Sequence, residues 1–209
     1  MTLQADQPLS TRVRLGTRAD HQAAQGSGFL DALADGRLPL AAYADLTAQH
    51  YAIYETLEKA AATMADDPIA GAFVAPELTR LPALADDLRF LGGSATVRPA
   101  TEAYCARLAE VAFDRSAAFV AHHYTRYLGD LSGGQYLGPA IARAYGLAGA
   151  GHQFFVFPGV EPAAFRARYR ELLDRARWTA AEQQEFLAEV AQAYRLNIAV
   201  LAELKEKWA

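Results

Sequence analysis

A glycine-bearing stretch, residues 124–135, constrains this chain more than any other. It reads YTRYLGDLSGGQ and places three glycines inside sequence that otherwise favours a helix. Each glycine within a helix costs roughly 1 kcal/mol relative to alanine, so another interaction must offset about 3 kcal/mol. Gly129 and Gly133 are four residues apart and therefore share one helix face. Two interpretations are open: a seam where two helices pack closely, or a bare strip that a broad, flat molecule can approach.

Composition limits the classes of function. A chain of 209 residues is the size of one domain, and 52% hydrophobic with 21% charged residues is typical of a soluble globular protein. The net charge of −4 argues against nucleic-acid and membrane-surface partners. The single cysteine, Cys105, excludes an internal disulfide and a cysteine-based zinc site. No signal-peptide or membrane-anchor pattern is evident, so we expect a cytoplasmic protein.

Hydrophobic periodicity predicts an all-α fold: a single domain over residues 1–209, built as a bundle of seven to eight helices. We expect residues 1–9 to be a disordered tail. The first helix is predicted over residues 10–24 and a long helix over residues 39–65. The apolar run 154–157 has no partner strand, so we interpret it as a packed linker.

A basic helix face precedes the long helix. Arg14, Arg18 and His21 are spaced by four and three residues and so share a face. Neighbouring guanidinium groups disfavour a protonated imidazole, which leaves His21 able to ligate a metal, while the arginines could bind carboxylates. The alternative is a surface histidine on a basic face. No second ligand stands at chelate spacing, so we do not expect zinc, but an axial haem ligand needs no such partner.

A second basic pair and several buried polar groups lie elsewhere. Arg166 and Arg170 are four residues apart and could clamp carboxylates from another side. Tyr54, Tyr124 and Asn197 stand among apolar residues, where hydroxyl and amide groups can hold ordered water. The alternatives are a solvated charged helix and core side chains with satisfied hydrogen bonds.

These segments together resemble one family. Residues 124–135 resemble the distal-helix signature of haem oxygenases, and residues 17–21 resemble the segment with the proximal ligand. Residues 51–58 and 196–198 match further family segments in the same order. The resemblance extends from about Ser10 to Leu204 and is to the soluble, bacterial type that produces biliverdin.

The resemblance implies that haem b is held between a proximal helix and a kinked distal helix. His21 would be the axial iron ligand, and Gly129 and Gly133 would let the distal backbone approach the ring. The candidates for contacting the haem propionates are Arg14, Arg18, Tyr124, Arg166 and Arg170. The candidates for a distal water network are Asp130, Arg126, Tyr54 and Asn197. Gln25 stands where the family usually has a glutamate, so it can accept a hydrogen bond from His21 but adds no charge.

The resemblance also implies the reaction. Haem would be both cofactor and substrate, and dioxygen would bind opposite His21 beside water ordered by Asp130. The products would be biliverdin, carbon monoxide and ferrous iron, with electrons from an external donor such as a ferredoxin or a flavin reductase. Two other functions stay open. A haem carrier would need His21 but not Asp130, and a thiaminase-like hydrolase would need an activated nucleophile, for which Cys105 lacks an evident partner.

Overall fold

The computed structural model describes residues 7–25, 28–93 and 96–208, and in these ranges every regular element is a helix. The predicted all-α class is therefore confirmed. None of the described helices is long and apolar enough to cross a membrane. The α-helices are α1 (Leu9–Gly16), α2 (Arg18–Gln25), α3 (Phe29–Ala34), α4 (Leu40–Met64), α5 (Leu81–Leu91), α6 (Pro99–Val111), α7 (Ser116–Gly129), α8 (Gln135–Tyr145), α9 (Pro162–Arg175) and α10 (Ala180–Trp208).

Three long helices form the centre of the bundle. α7 is buried along almost its whole length and packs against α10 on one side and α4 on another. α10 also supports α2, and α4 supports α5 and α6. Large side chains such as Tyr54, Phe119 and Phe186 are fully enclosed where these helices meet. Burial of each such side chain contributes roughly 1.5–3 kcal/mol, so this core fixes the positions of α4, α7 and α10 relative to one another.

The first predicted helix is two helices in the structure. α1 ends at Gly16 and α2 begins at Arg18. Between them, the hydroxyl of Thr17 donates to the carbonyl oxygen of Val13 at 2.8 Å, a bond of the kind that bends helices. α1 begins at Leu9, the last residue of the predicted tail, while residues 1–6 lie outside the described ranges.

The glycine-bearing stretch changes helix type instead of ending. α7 continues directly into a π-helical segment, Asp130–Gly134, and then into α8. A π segment changes the register of the side chains on either side of it and is frequent at functional sites. The resemblance implied a kinked distal helix, and the structure has a π segment at this position.

The close helix packing expected of glycines occurs one turn later than the sequence suggested. A Cβ atom on Gly134 would lie 3.3 Å from Cδ1 of Phe155, and one on Gly138 would lie only 2.5 Å from its Cβ. Phe155 belongs to a short 3₁₀ turn, Gln153–Phe155, in which Phe154 is also buried. The apolar run is thus a packed linker, as predicted, and it is seated on the glycines of the distal helix.

We predict that Gly138→Ala destabilises the protein by about 1–3 kcal/mol, because the added methyl group overlaps Phe155. Gly133→Ala is the matched control, since a Cβ there meets no atom within 4 Å outside its own helix. The control should retain its stability or gain up to about 1 kcal/mol through better helix propensity. Urea unfolding of both variants measures the difference, and equal stabilities would refute the packing argument.

Candidate active site

The bare strip predicted from the sequence is present and open. Gly129 and Gly133 are exposed, and a Cβ on either would meet no described atom within 4 Å beyond the helix itself. The helix-packing interpretation is therefore wrong for this pair, although it holds for Gly134 and Gly138. The backbone at the junction of α7 and the π segment faces free space that a flat molecule could enter.

Four predicted distal residues come together beside this strip, from three helices. The hydroxyl of Tyr54 on α4 donates to Oδ2 of Asp130. Arg126 on α7 donates through Nη1 to Oδ1 of Asn197 on α10 at 2.7 Å. The guanidinium carbon of Arg126 also lies 5.1 Å from the centroid of the Tyr54 ring. Tyr54 and Arg126 are buried, whereas Asp130 is partly accessible at the edge of the strip.

Burial and neighbouring charges together shift the pKa values of Asp130 and Tyr54. Burial raises the pKa of Asp130 above its usual value, while Arg126, the hydrogen bond from Tyr54 and Arg80 act to lower it. Burial and the charge of Asp130 raise the pKa of Tyr54 well above its usual value. Tyr54 is therefore a hydrogen-bond donor at neutral pH, and Asp130 is its acceptor. The second carboxylate oxygen of Asp130 can therefore accept a hydrogen bond at the strip.

His21 contacts α10, the helix that also contributes Asn197 to this cluster. It is exposed on α2, and its ring centroid is 6.1 Å from that of Tyr194 on α10, with the rings nearly perpendicular. Tyr194 and Asn197 are one helical turn apart, and Asn197 contacts Arg126. α2 and α7 each pack on α10 and make at most marginal contact with each other in the described residues. One turn of α10 thus separates the exposed imidazole from the distal polar cluster.

Arg14 and Arg170, two of the predicted propionate contacts, act electrostatically on Tyr124, which is a third. Burial raises the pKa of Tyr124, and the charges of Arg170 and Arg14 oppose that rise, so both guanidinium groups are within electrostatic reach of the hydroxyl. Arg14 and Arg170 are exposed, on α1 and α9. This juxtaposition forms a local positive surface beside a tyrosine hydroxyl, the chemistry that binds carboxylates.

The other predicted contacts are placed differently. Arg166 donates through Nη1 to the carbonyl oxygen of Leu131, so it ties α9 to the π segment. Arg18 is exposed on α2, and within the described part of the chain it forms no hydrogen bond or ion pair. Gln25 ends α2, but its side chain lies outside the described residues, so its predicted bond to His21 stays a prediction.

Arg80 is a charged neighbour of the site that the sequence did not reveal. Its guanidinium is buried 4.0 Å from the Phe157 ring centroid, and its Nε donates to the carbonyl oxygen of Leu78 at 3.0 Å. Its charge lowers the pKa of Asp130. Arg80 directly precedes α5 and is far from Asp130 in the sequence, so only the folded chain brings this cation near the distal carboxylate.

We predict that Tyr54→Phe raises the pKa of Asp130 further, because the variant loses the hydrogen bond that favours the carboxylate. Titration of the Asp130 carboxyl carbon by ¹³C NMR, without any ligand, measures the shift. Tyr51→Phe, on the same helix, is the control and should leave the titration unchanged. An unchanged or lower pKa of Asp130 in Tyr54→Phe would show that the bond does not stabilise the charged form.

Comparison with known proteins identifies the family to which this arrangement of residues belongs. A family model described as "Heme oxygenase" matches residues 7–203. The chain is 33% identical to a heme oxygenase of Takifugu rubripes over 97% of this chain and 76% of the relative. It is 32% identical to heme oxygenase 1 of a Synechocystis strain, over 94% of this chain and 85% of the relative.

Solved structures of haem oxygenases have the same fold as this chain. The crystal structure of heme oxygenase-1 from Synechocystis in complex with heme superposes with a TM-score of 0.90 at 31% identity, covering 96% of this chain and 94% of that one. Heme oxygenase from Leptospira interrogans superposes with a TM-score of 0.88 at 34% identity, covering 94% of this chain and 100% of that one. Because the family match spans nearly the whole chain, this protein belongs to the haem oxygenase family.

Proposed function

We propose that this protein is a haem oxygenase that takes haem b as both cofactor and substrate. It consumes dioxygen and external electrons and releases biliverdin, carbon monoxide and ferrous iron. The observation that carries the proposal is the open strip at Gly129 and Gly133, next to Asp130 and separated by one turn of α10 from the exposed His21. Family membership supports the same reaction.

The residues around the strip fit a porphyrin. His21 is exposed and unshielded on α2, as an axial iron ligand must be. A side chain at Gly129 or Gly133 would extend into the space where the flat ring would lie, because neither position meets another part of the protein. The aromatic ring of Tyr194 on α10 lies nearly perpendicular to the imidazole, with the ring centroids 6.1 Å apart.

The haem propionates would bind beside Tyr124, near Arg14 and Arg170. Arg14 and Arg170 approach Tyr124, and a guanidinium group can bind a carboxylate through two parallel hydrogen bonds. Arg18 extends the positive surface along α2, on the side that carries His21. Arg166 would act mainly by holding the π segment in place through the Leu131 carbonyl.

Bound haem supplies the iron that binds dioxygen and the ring that is oxidised. The chain supplies orientation and proton donors. Tyr54 donates to one oxygen of Asp130, so the other can hold a water molecule at the edge of the strip. Arg126, which donates to Asn197, holds positive charge beside Asp130 and favours its carboxylate form. Gly129 and Gly133 let the main chain set the distance and tilt of whatever binds, a positioning effect that can change rates greatly.

We further propose that the electrons come from a separate donor, a ferredoxin or a flavin reductase, and that the protein works in the cytoplasm. Dioxygen is the co-substrate, and neither nucleic acid nor a membrane is a partner. The hydrolase alternative is disfavoured by Cys105. Burial raises the pKa of its thiol, which donates to the carbonyl oxygen of Ala52 at 3.5 Å, whereas a nucleophilic cysteine needs a lowered pKa.

The decisive experiment adds a reductant to the haem complex in air. We expect loss of the main haem absorption band, a green product with the spectrum of biliverdin, and carbon monoxide captured by ferrous myoglobin. Asp130→Ala should bind haem but give little biliverdin, because the water at the strip loses its acceptor. If the wild-type complex keeps its haem intact under these conditions, the protein is a carrier and not an oxygenase.

A second experiment tests the iron ligand. We predict that the haem complex of His21→Ala loses the absorption spectrum of histidine-ligated haem and that added imidazole restores it. His152→Ala is the matched control, since His152 directly precedes the 3₁₀ turn of the linker and its Nδ1 lies 3.3 Å from the Ala150 carbonyl oxygen. A spectrum in His21→Ala identical to that of the wild type would assign the ligand to another residue.

A further inference from the structure

His50 lies at the centre of the buried face of α4, yet its own side chain is partly accessible. The residues three, four and seven positions away share this face. Each of them is at most 2% exposed: Tyr43, Leu46, Thr47, Ile53, Tyr54 and Leu57. A side chain with such neighbours can be accessible only where a cleft reaches into the bundle. His50 therefore lines an internal cleft.

The aromatic neighbours of His50 place this cleft beside the distal residues. The imidazole centroid is 4.9 Å from that of the Phe154 ring and 6.4 Å from that of the Tyr54 ring. The rings of Tyr54 and Phe154 are themselves 5.3 Å apart. Tyr54 donates to Asp130 at the edge of the open strip. The cleft thus lies between α4 and the linker, one turn of α4 away from the residue that holds the distal carboxylate.

The nitrogens of His50 are unpaired, unlike those of the other enclosed histidines. His122 bonds Glu189 through Nε2 at 3.0 Å, and Nδ1 of His123 lies 3.0 Å from the Tyr169 hydroxyl. Neither nitrogen of His50 forms a hydrogen bond with a residue that the structure describes, and neither is among the fully buried polar atoms without a partner. Each nitrogen therefore has surface that a molecule in the cleft can reach.

The protonation state of His50 decides what it can bind. Burial lowers the pKa of His50 well below its usual value, and the positive charge of Arg126 lowers it further. The imidazole is therefore neutral at pH 7, with one nitrogen that donates and one that accepts. Because unpaired polar atoms are costly among aromatic and aliphatic side chains, a polar molecule from outside the chain is favoured at this position.

The cleft lies toward one end of the strip. Tyr124, beside the candidate propionate contacts, precedes Gly129 along the distal helix. Phe155, the residue after Phe154, is packed on the two glycines that follow the open pair along the same helix. His50, which contacts Phe154, is therefore nearer the end of the strip that lies away from the carboxylate-binding side.

We propose that His50 is a ligand-contacting residue at the inner end of the candidate active site. Its imidazole bonds a water molecule when the site is free, and it faces the ring edge opposite the propionates when haem is bound. The inference rests on the proposed function, because it takes haem as the molecule that enters the strip. It gives the site a hydrogen-bonding group separate from Asp130.

This group makes the site selective by the polarity of the inner ring edge. Haem b carries only hydrocarbon groups at the edge away from its propionates, so it leaves the water on His50. A porphyrin with a carbonyl oxygen at that edge would displace the water and accept the imidazole N–H. A site that hydrogen-bonds an oxygen disfavours analogues that lack it, since its own polar group is then left unpaired.

The first test uses the protein without haem. At pH 7 the carbon-bound ring protons of His50 should show a nuclear Overhauser cross-peak to a bound water molecule. His122 is the control, because it is fully buried and bonded to Glu189, and it should show no such peak. A His50 ring without contact to water would overturn the proposal, whatever the activity of the enzyme.

The second test adds gallium(III) protoporphyrin, which is diamagnetic and is not degraded. The ring current of the porphyrin should shift the ring protons of His50 and leave those of His122, on the α10 side of α7, nearly unchanged. If resonances at Gly129 and Gly133 shift on binding while those of His50 do not, the imidazole does not face the ligand and the inference is wrong.

The third test measures selectivity with two variants. We expect wild-type protein to prefer the gallium complex of diacetyldeuteroporphyrin, which has ring-edge carbonyl groups, over that of mesoporphyrin, which has ethyl groups. His50→Leu should reduce this preference, measured as the ratio of the two Kd values, about tenfold. His50→Gln keeps a donor and should retain most of it, and His152→Leu is the control outside the cleft. An unchanged ratio in His50→Leu would contradict the proposed contact.

The outcomes separate the two proposals. If wild-type protein binds the gallium porphyrins but leaves haem intact under reductant and air, the oxygenase function fails while the contact with His50 stands. If haem is converted to biliverdin but His50 shows neither bound water nor a porphyrin-induced shift, the oxygenase function stands and this inference is wrong.

Discussion

The buried guanidinium of Arg126 is the interaction on which the arrangement of the site depends. A charge enclosed in a helical core is costly unless it is paired and hydrogen-bonded. Arg126 meets most of this requirement through Asn197 on α10, the ring of Tyr54 on α4 and the charge of Asp130, although its Nε has no hydrogen-bond partner among the described residues. Satisfying one charge therefore fixes three helices in the positions that the site requires. The same contacts leave Asp130 as the one member of the group at the edge of the open strip.

The glycines of the distal helix perform two separate tasks. Gly134 and Gly138 allow Phe155 to pack against the helix backbone, which offsets part of their conformational cost. Gly129 and Gly133 gain no such contact from the protein, and their cost is left for a ligand or a function to explain. The π segment contains one glycine of each pair, Gly133 and Gly134, and its change of register separates a packed face from an open one. Gly134 and Gly138 therefore contribute to the packing of the protein, whereas Gly129 and Gly133 leave the backbone of the same helix open to a ligand.

Much of the site could be predicted, because helical spacing determines which side chains share a face. The four-residue interval between Gly129 and Gly133, and the turn that relates Arg126 to Asp130, follow from the sequence alone. The basic character of the segment with His21 was equally visible, although the structure divides it at Thr17. The prediction of a packed linker followed from an apolar run without a partner strand, and Phe154 and Phe155 are indeed buried.

The sequence by itself determined the all-α class, the helix faces and the residue types of the site, because these depend on contacts within a few positions along the chain. Only the tertiary structure decided which glycines are packed and which are open, because that depends on Phe155, 17 to 21 residues away from Gly138 and Gly134. It likewise decided that Arg166 donates a hydrogen bond to the Leu131 carbonyl oxygen and that the charge of Arg80 acts on Asp130. The tertiary structure also decided that one turn of α10 separates the contacts of His21 and Arg126. Contacts between distant segments follow from how whole helices pack, and no local spacing encodes them.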